Sequence, residues 1–389
     1  MRLRRPHFLM IEPRACETAD LLHLLSAAQE EFARVRWVAL APHLGRECVL
    51  ERGDLAIFDR LGPGHEVTRE SLEHAFSVAS VSRLVELGLL IGDHADHADL
   101  DRRDRQLREG GWWGIAALAQ VFGRWDGVDV AATEAAEGRR TVARMIEEGG
   151  LPPPEALSVG KPSARIPLRP PMPGPLDALL AARSTCRNFD TAAVVPADRL
   201  ATMLHRVFGA QAAQELAPGA TMLKKHSPSG GGLHPVEAFV LVQRVEGLAP
   251  GLYHYHCLAH ALEPVRALPS EEAAAAAREL VAGQDWFADA PVLVLLAARF
   301  PRSHWKYPEH AKAWKVVQLD AGHLSQTLYL SAAELGLGAF VTAAINDACA
   351  ERLFGLDGID TGAVAVCGFG ARARERRTRE FDPQGRTDG

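Results

Sequence analysis

The sequence lacks any uninterrupted apolar run of the length a membrane-spanning helix requires, about eighteen residues. Its longest candidate, APVLVLLAARF at 290–300, is strand length. Paired cysteines are missing as well. Cys16, Cys48, Cys186, Cys257, Cys349 and Cys367 stand singly with no CxxC spacing, which excludes a zinc ribbon and points to reduced thiols without a structural disulfide. There is no large excess of one charge. A net charge of -6 over 389 residues gives no overall pull toward nucleic acid or an anionic membrane. The basic start, MRLRRPHFLMIEPRACE, is broken by Glu12 and Pro13 before its apolar run reaches signal-peptide length. The expectation is a cytoplasmic protein with no membrane and no nucleic-acid partner.

What is present divides the chain. A hydrophobic fraction of 47% with 24% charged residues is ordinary for globular folding, and 389 residues exceed what one core usually serves, so two domains are expected. Nine prolines fall in LPPPEALSVGKPSARIPLRPPMPGPL, which cannot be helix interior. This reads as a linker at 151–176 that runs over the other half or over another subunit. It separates an N-terminal domain, 1–150, from a second domain, 177–372, and the charged residues 373–389 read as a flexible tail.

In the first half, HFLMIE is strand-like, and ECVLERGDLAIFDRL reads as a hairpin turning at Gly53 and Asp54. The segment TRESLEHAFSVASVSRLVELGLLIGD, 68–93, carries an N-cap at Thr68, two apolar stripes at helical spacing, a stop at Gly88 and a short strand. Two helices and a strand suggest a small winged-helix-like α/β domain. Its VASVSRLVELGLL has a single arginine, too little to read bases, which leaves peptide or subunit docking or a plain packing domain. GDHADHADLDRRDR reads as a solvated loop rather than a metal site, and Trp112, Trp113 and Trp125 as core or interface.

Three stretches of the second half suit phosphate and cofactor contacts. LLAARSTCRNFD gathers Arg183, Ser184, Thr185 and Arg187 after a helix, a density of guanidiniums and hydroxyls that suits a phosphate, although a surface charge cluster has the same look. KKHSPSGGGLHPVEAFVLVQRV places Ser227, Ser229 and three consecutive glycines from Gly230 before a strand, a loop whose backbone can approach a flat ligand and donate N–H groups. It is neither a P-loop nor a dinucleotide fingerprint, because no Lys-Ser/Thr follows and the glycines precede a strand. LDAGHLSQTLYLSAAELGLGAF is helical from Asp320 to Glu334, closed by Gly336 and Gly338, with His323 as a structural histidine. AVAVCGFG reads as a buried strand running into Arg372 and Arg374.

In this order the motifs resemble the nitroreductase-like flavoproteins: Arg183, Thr185, Arg187 and Phe189 as R-x-T-x-R-x-F, the SPSGG loop with HPVE, the GLYHYH strand, the DAGH helix with GLGA, and the terminal G-x-G. The set is similar, more closely, to their peptide-modifying branch, the streptolysin-type and microcin-type azoline dehydrogenases. The resemblance covers about residues 165–372. It implies an α+β fold with an antiparallel-rich central sheet flanked by helices, preceded by the winged-helix-like domain, and an obligate homodimer holding FMN at the subunit interface. Arg183, Ser184, Thr185, Arg187 and Arg372 would then contact the FMN phosphate and ribityl chain. Ser227, Ser229, Gly230 and Gly231 would lie along the isoalloxazine, and Gly338 and Ala339 at its other edge. Partners would be a ribosomal precursor peptide and a cyclodehydratase complex, with no metal. Because Cys186 and Ser184 depart from the usual motif, the phosphate grip is expected to shift toward Arg372 or Arg374. His234 stands where relatives often carry an aromatic residue.

RFPRSHWKYPEHAKAW places Lys306 and Tyr307 side by side. Neighbouring residues diverge on a helix and point to opposite faces of a strand, so two that act together need irregular backbone, and Pro308 supplies it. The resemblance implies that the pair is catalytic, taking the α-proton as thiazoline or oxazoline becomes thiazole or oxazole. Which of the two is the base stays open. An NAD(P)H-dependent nitro or quinone reductase, another peptide oxidation, and a flavin-bound scaffold without turnover are the competing expectations.

Overall fold

The computed structural model of the chain describes residues 1–15, 35–138, 141–170 and 172–381. In the first half, strands β1 (Arg2–Arg4), β2 (Met10–Ala15), β3 (Val35–Ala41), β4 (Arg46–Leu50), β5 (Glu66–Thr68) and β6 (Ile91–Gly92) form two antiparallel sheets, β5-β1-β6 and β2-β3-β4. Helices Arg69–Ala75 and Val78–Glu86 precede β6, and the Thr68 hydroxyl accepts the Ser71 N–H at 3.2 Å as the N-cap. Leu3, Ile57, Val81, Leu84 and Leu89 close a small core of their own.

Two local readings need correction. The run expected as a hairpin at Gly53 and Asp54 is instead the helix Arg52–Arg60. Asp54 is buried and accepts the Glu51 N–H at 2.8 Å, a helix-capping contact that outweighs the turn character of Gly-Asp, while Arg83 closes on the same carboxylate. The polar run expected as a loop at 92–105 enters the helix Ala98–Glu109. Leu107 and Asp104 anchor it: Asp104 is buried beneath Arg4 and accepts the His7 N–H at 2.8 Å. Asp101 and Arg105 add a pair one turn apart.

The second half is organised on a fully antiparallel six-stranded sheet. After the hairpin β7 (Ala212–Ala217) and β8 (Ala220–Lys224) come β9 (Val236–Val242), β10 (Gly251–His256), β11 (Ala261–Ala267), β12 (Val292–Arg299), β13 (Gly338–Thr342) and β14 (Thr361–Gly370). The sheet order is β11-β10-β9-β12-β14-β13. β12, VLVLLAAR, is an unbroken apolar run because both its faces are covered. Val292, Val294 and Leu296 meet the long helix Ala311–Glu334 through Val317, Leu324 and Leu328. Leu293, Leu295 and Ala297 meet the helices Ser270–Leu280 and Asp347–Phe354. Gly336 ends the long helix with a left-handed φ of 68°, while Gly338, expected to share that role, opens β13 instead.

The expected boundary at 151–176 is not where the packing divides. Leu107, Trp112, Ala116 and Ala117 belong to the main core: Trp112 lies against Phe300 with ring centroids 4.6 Å apart, and its indole N–H reaches the Ile359 carbonyl at 3.2 Å. Arg124 pairs with the nearly buried Glu351 at 2.7 Å. Trp125, in contrast, is largely exposed. Residues 151–170 are extended but for one short turn, Pro162–Ala164, and Leu157, Val159, Ile166 and Leu168 expose more than four-fifths of their surface. Of the tail, residues up to 381 are described, and Glu380 is buried rather than free because three amide donors and Arg372 converge on it. Residues 382–389 and Cys16 lie outside the described residues. Among those described, no helix is long and apolar enough to cross a membrane, and five cysteines are free.

Candidate active site

Helix Pro175–Ala182 stops at Arg183, and the chain continues extended along the edge of β13. Thr185 bridges Ala339 in parallel, and the Cys186 N–H donates to the Ala339 carbonyl at 2.8 Å. Side chains alternate along this stretch as in a strand. Cys186 turns inward, fully buried under Gly338, where an added Cβ would come within 2.6 Å of its Sγ. Burial pushes this thiol up to about 11, so its place in the motif is a packing role. Arg183 and Thr185 both reach Tyr329 of the long helix: the guanidinium lies 5.4 Å from the ring centroid, and the two hydroxyls are 3.0 Å apart. The Tyr329 hydroxyl also accepts the Val341 N–H at 3.1 Å.

The cations of this turn are not equivalent. Arg183 and Arg187 have no carboxylate partner among the described residues, and Arg187 rests over the Phe287 ring at 5.8 Å. Arg372 is already engaged, by Glu380 at 2.8 Å and by the Ser184 hydroxyl at 2.8 Å. The same Glu380 carboxylate accepts the N–H of Asn188 at 3.1 Å and its side-chain amide at 2.9 Å. The expected shift of the phosphate grip toward Arg372 therefore meets a carboxylate in the way, and the Ser184 hydroxyl accepts from the Arg372 guanidinium. Arg183, which shares Tyr329 with the Thr185 hydroxyl, and Arg187, over Phe287, retain the chemistry that suits a phosphate. Gly338 and Ala339 are covered, within one protomer, by Cys186 and Arg372.

The glycine loop lies between β8 and β9, and Asp320 holds it. This buried carboxylate accepts the Ser229 hydroxyl on one oxygen and the Gly230 N–H, at 3.0 Å, on the other. Burial raises Asp320 above the ordinary carboxylate range, against the lowering effect of those two hydrogen bonds. The Ser227 hydroxyl meets that of Thr327 at 2.7 Å, and His323 bonds the Pro228 carbonyl at 3.2 Å in the structural role expected of it. Gly231 and Gly232 both sit at left-handed φ, 67° and 70°, which lets the loop double back. The loop's amides were expected to face a ligand, yet those of Gly230 and Gly232 are used to hold its shape.

Lys306 and Tyr307 press on this loop. The chain leaves the short helix Phe300–His304 in a turn, with the Tyr307 N–H on the Ser303 carbonyl at 3.1 Å. Lys306 Nζ donates to the Gly231 carbonyl at 3.2 Å and lies 5.7 Å from the Tyr307 ring centroid. A Cβ on Gly231 would fall 2.8 Å from the Tyr307 hydroxyl and 3.1 Å from Lys306 Nζ, so only glycine leaves room there. The turn is fastened from the first half: the Glu309 N–H donates to the Gly111 carbonyl at 2.8 Å, and His304 bonds the Gly110 carbonyl at 2.8 Å, its imidazole held below the usual range by burial.

The long helix orders these pieces. Val316, Asp320, His323 and Thr327 touch the glycine loop and share one face at three- and four-residue spacing. Tyr329, which receives Arg183 and Thr185, lies about 140° further around the axis at 3.6 residues per turn. One protomer therefore joins the lysine-tyrosine pair to the glycine loop, but leaves the arginine turn on another side of the helix. Sequence reasoning missed Asp320, Tyr329 and Glu380. An acid between Val317 and Leu324 on an apolar stripe was a usable sign for Asp320, whereas nothing local marked Glu380.

Residues 180–371 match the model of the nitroreductase family. The trifolitoxin-processing protein TfxB of Rhizobium leguminosarum bv. trifolii is 29% identical over 136 residues, 35% of this chain and 36% of that protein. A Methanocaldococcus jannaschii protein named as a nitroreductase is 34% identical over 126 residues, 32% and 60% of the two chains. The microcin B17-processing protein McbC of Escherichia coli is 27% identical over 159 residues, 40% and 57%. The chain thus matches less than two thirds of the length of each of these relatives.

Proposed function

We propose, from the match of residues 180–371 to the nitroreductase family model, that the protein is an FMN-dependent dehydrogenase that oxidises thiazoline or oxazoline rings of a ribosomal precursor peptide to thiazole or oxazole. The observation that carries this reading is the contact of Lys306 and Tyr307 with Gly231, which puts a proton acceptor and a cation at the lip of a side-chain-free loop. The relatives named for trifolitoxin and microcin B17 processing support a peptide substrate.

The residues present fit FMN. Arg183, Arg187 and Thr185 would hold its phosphate, and the loop from Ser227 to Gly231 would lie along the ring. FMN, when bound, supplies a two-electron acceptor for hydride from the ring carbon next to it. The chain's part is to fix the azoline and remove the remaining proton. Tyr307 takes that α-proton: its hydroxyl has no hydrogen-bond partner among the described residues, while Lys306 is committed to the Gly231 carbonyl and contributes positive charge alongside.

The arrangement also supports a homodimer. The arginine turn and the glycine loop lie on different sides of the long helix, so a second copy is needed to set one protomer's turn against the other's loop. The apolar side chains exposed along 151–170 give the two copies a strap to exchange. A cyclodehydratase partner belongs to the same reading, because an azoline must be formed before it can be oxidised.

Incubating the purified protein with a peptidyl thiazoline tests the proposal by mass: the peptide loses two hydrogens. A second reading, an NAD(P)H-dependent reductase, draws on the relative named as a nitroreductase. Rapid flavin reduction by NADPH with an unaltered peptide would establish that reading instead.

A further inference from the structure

Lys225 follows β8 and is 4% exposed, yet among the described residues nothing accepts a hydrogen bond from its Nζ or lies within ion-pair distance of it. It lines a cavity of about 250 Å³ together with His234, Glu237, His254, Arg299 and Arg302. A second cavity of about 670 Å³ shares Thr221, Arg299 and Arg302 with the first and reaches Trp305, the neighbour of the lysine-tyrosine pair.

The charges here do not balance. Glu237 is answered by Arg299 at 3.2 Å and by His254 at 3.6 Å. Arg302 spends its Nε on the Leu233 carbonyl and forms no ion pair among the described residues, while Asp360 lines the larger cavity with it. Lys225 also acts on Glu237 through space, so three cations, Lys225, Arg299 and Arg302, share one carboxylate in this lining. His234 registers that field: burial first, then Lys225 and Arg302, push its imidazole down to about 4. An excess of positive charge in a confined cavity favours an incoming anion.

We infer that this cavity recognises a carboxylate of the substrate peptide, either an acidic side chain or the C-terminus, and so sets which precursor residues stand near Lys306 and Tyr307. The inference rests on the peptide reading above. Lys225 supplies a point charge and Arg302 a planar fork from the neighbouring wall. The volume equals roughly eight water molecules at about 30 Å³ each, enough for a carboxylate and a short aliphatic stem. Glu237 in the wall disfavours the greater charge of a phosphate. The His234 N–H also donates to Ser229 Oγ at 2.8 Å, which connects the wall of the cavity to the glycine loop.

Calorimetric titration of the full-length, flavin-loaded protein tests this with three short peptides that differ only in charge: one with Glu and an amidated end, one with Gln and an amidated end, and one with Gln and a free C-terminal carboxylate. One of the two charged peptides is expected to bind at least about tenfold tighter than the neutral one, the scale of one charge-assisted hydrogen bond. Whichever gains names the source of the carboxylate. Lys225→Met and Arg302→Gln each remove the preference, Lys225→Arg restores part of it, and melting temperatures no lower than that of the wild type show that the variants fold. Equal binding of all three peptides, a preference that survives Lys225→Met, or tighter binding of inorganic phosphate than of the charged peptides would overturn the assignment. The readout is binding, so a charge preference without azoline oxidation would retain the site and remove only the proposed reaction.

Discussion

Asp320 and Gly230, ninety residues apart in sequence, are joined by a hydrogen bond of 3.0 Å from the Gly230 N–H to the carboxylate, whose other oxygen holds the Ser229 hydroxyl. The bond passes from the long helix to the loop on which Lys306 and Tyr307 rest. A buried acid thereby sets the position of a backbone segment that has no side chains of its own to fix it.

Replacing that acid separates shape from charge. Asp320→Asn keeps the volume but cannot accept on both atoms, so azoline oxidation is expected to fall at least about tenfold with the fold intact. Its stability should respond to pH in a defined sense. Burial raises the folded-state value of Asp320 above the unfolded one, so its ionised form opposes folding at neutral pH, and this penalty fades as pH falls through the raised value toward about 3.9. Wild type should therefore gain melting temperature relative to Asp320→Asn between pH 7 and pH 4 in parallel scans. A difference that does not change with pH would contradict the assignment.

Two adjacent glycines provide an internal control. Gly231→Ala meets the Tyr307 hydroxyl and Lys306 Nζ, whereas Gly232→Ala, at nearly the same left-handed φ, meets only the flexible end of Met222 at 3.2 Å. Both variants should lose about 1 kcal/mol of stability to the strained backbone. Only Gly231→Ala should lose most of its kcat, and equal kcat values in the two would argue against the pair acting across Gly231.

The phosphate grip can be located by flavin retention. Arg183→Gln and Arg187→Gln are expected to leave the protein folded with most of its flavin lost on gel filtration. Glu380→Ala strands Arg372 and removes the acceptor for the Asn188 N–H, so its main effect is on stability, about 3 kcal/mol by denaturant titration. Flavin loss in Glu380→Ala, with no loss in the Arg183 and Arg187 variants, would reverse these roles.

Subunit complementation tests the split across the long helix. Arg183→Gln and Tyr307→Phe are each expected to be inactive alone, and mixed dimers reassembled from the two should regain activity, because one of their two sites carries neither substitution. No recovery after verified subunit exchange would place both residues of each site in one chain.

Much of the second half was legible because its signals are local. VLVLLAAR reads as strand length, DAGHLSQTLYLSAAE as a helix, and SPSGGG as a loop, and each is found so. The misreadings arose where distant residues decide. Gly53 and Asp54 look like a turn until Arg83 and Glu51 bury Asp54, and the polar helix Ala98–Glu109 depends on Arg4 reaching Asp104. Glu380, in a run that reads as solvated, is buried because the Asn188 amides and Arg372, distant in sequence, converge on its carboxylate. For the site, the motif residues were visible but their division was not, since the angle between Asp320 and Tyr329 matters only once their contacts are known.

The central claim is that Tyr307, set on the glycine loop beside Lys306, takes a proton while the azoline ring is oxidised. The most direct measurement is an anaerobic single turnover, following the flavin absorbance on mixing with a peptidyl thiazoline, in wild type and in Tyr307→Phe with matched flavin content. The account predicts prompt bleaching in wild type, slowed by about 10² or more in the variant, with thiazole formed in proportion. Bleaching at equal rates in both proteins, or bleaching by NADPH alone with the thiazoline left intact, would contradict it.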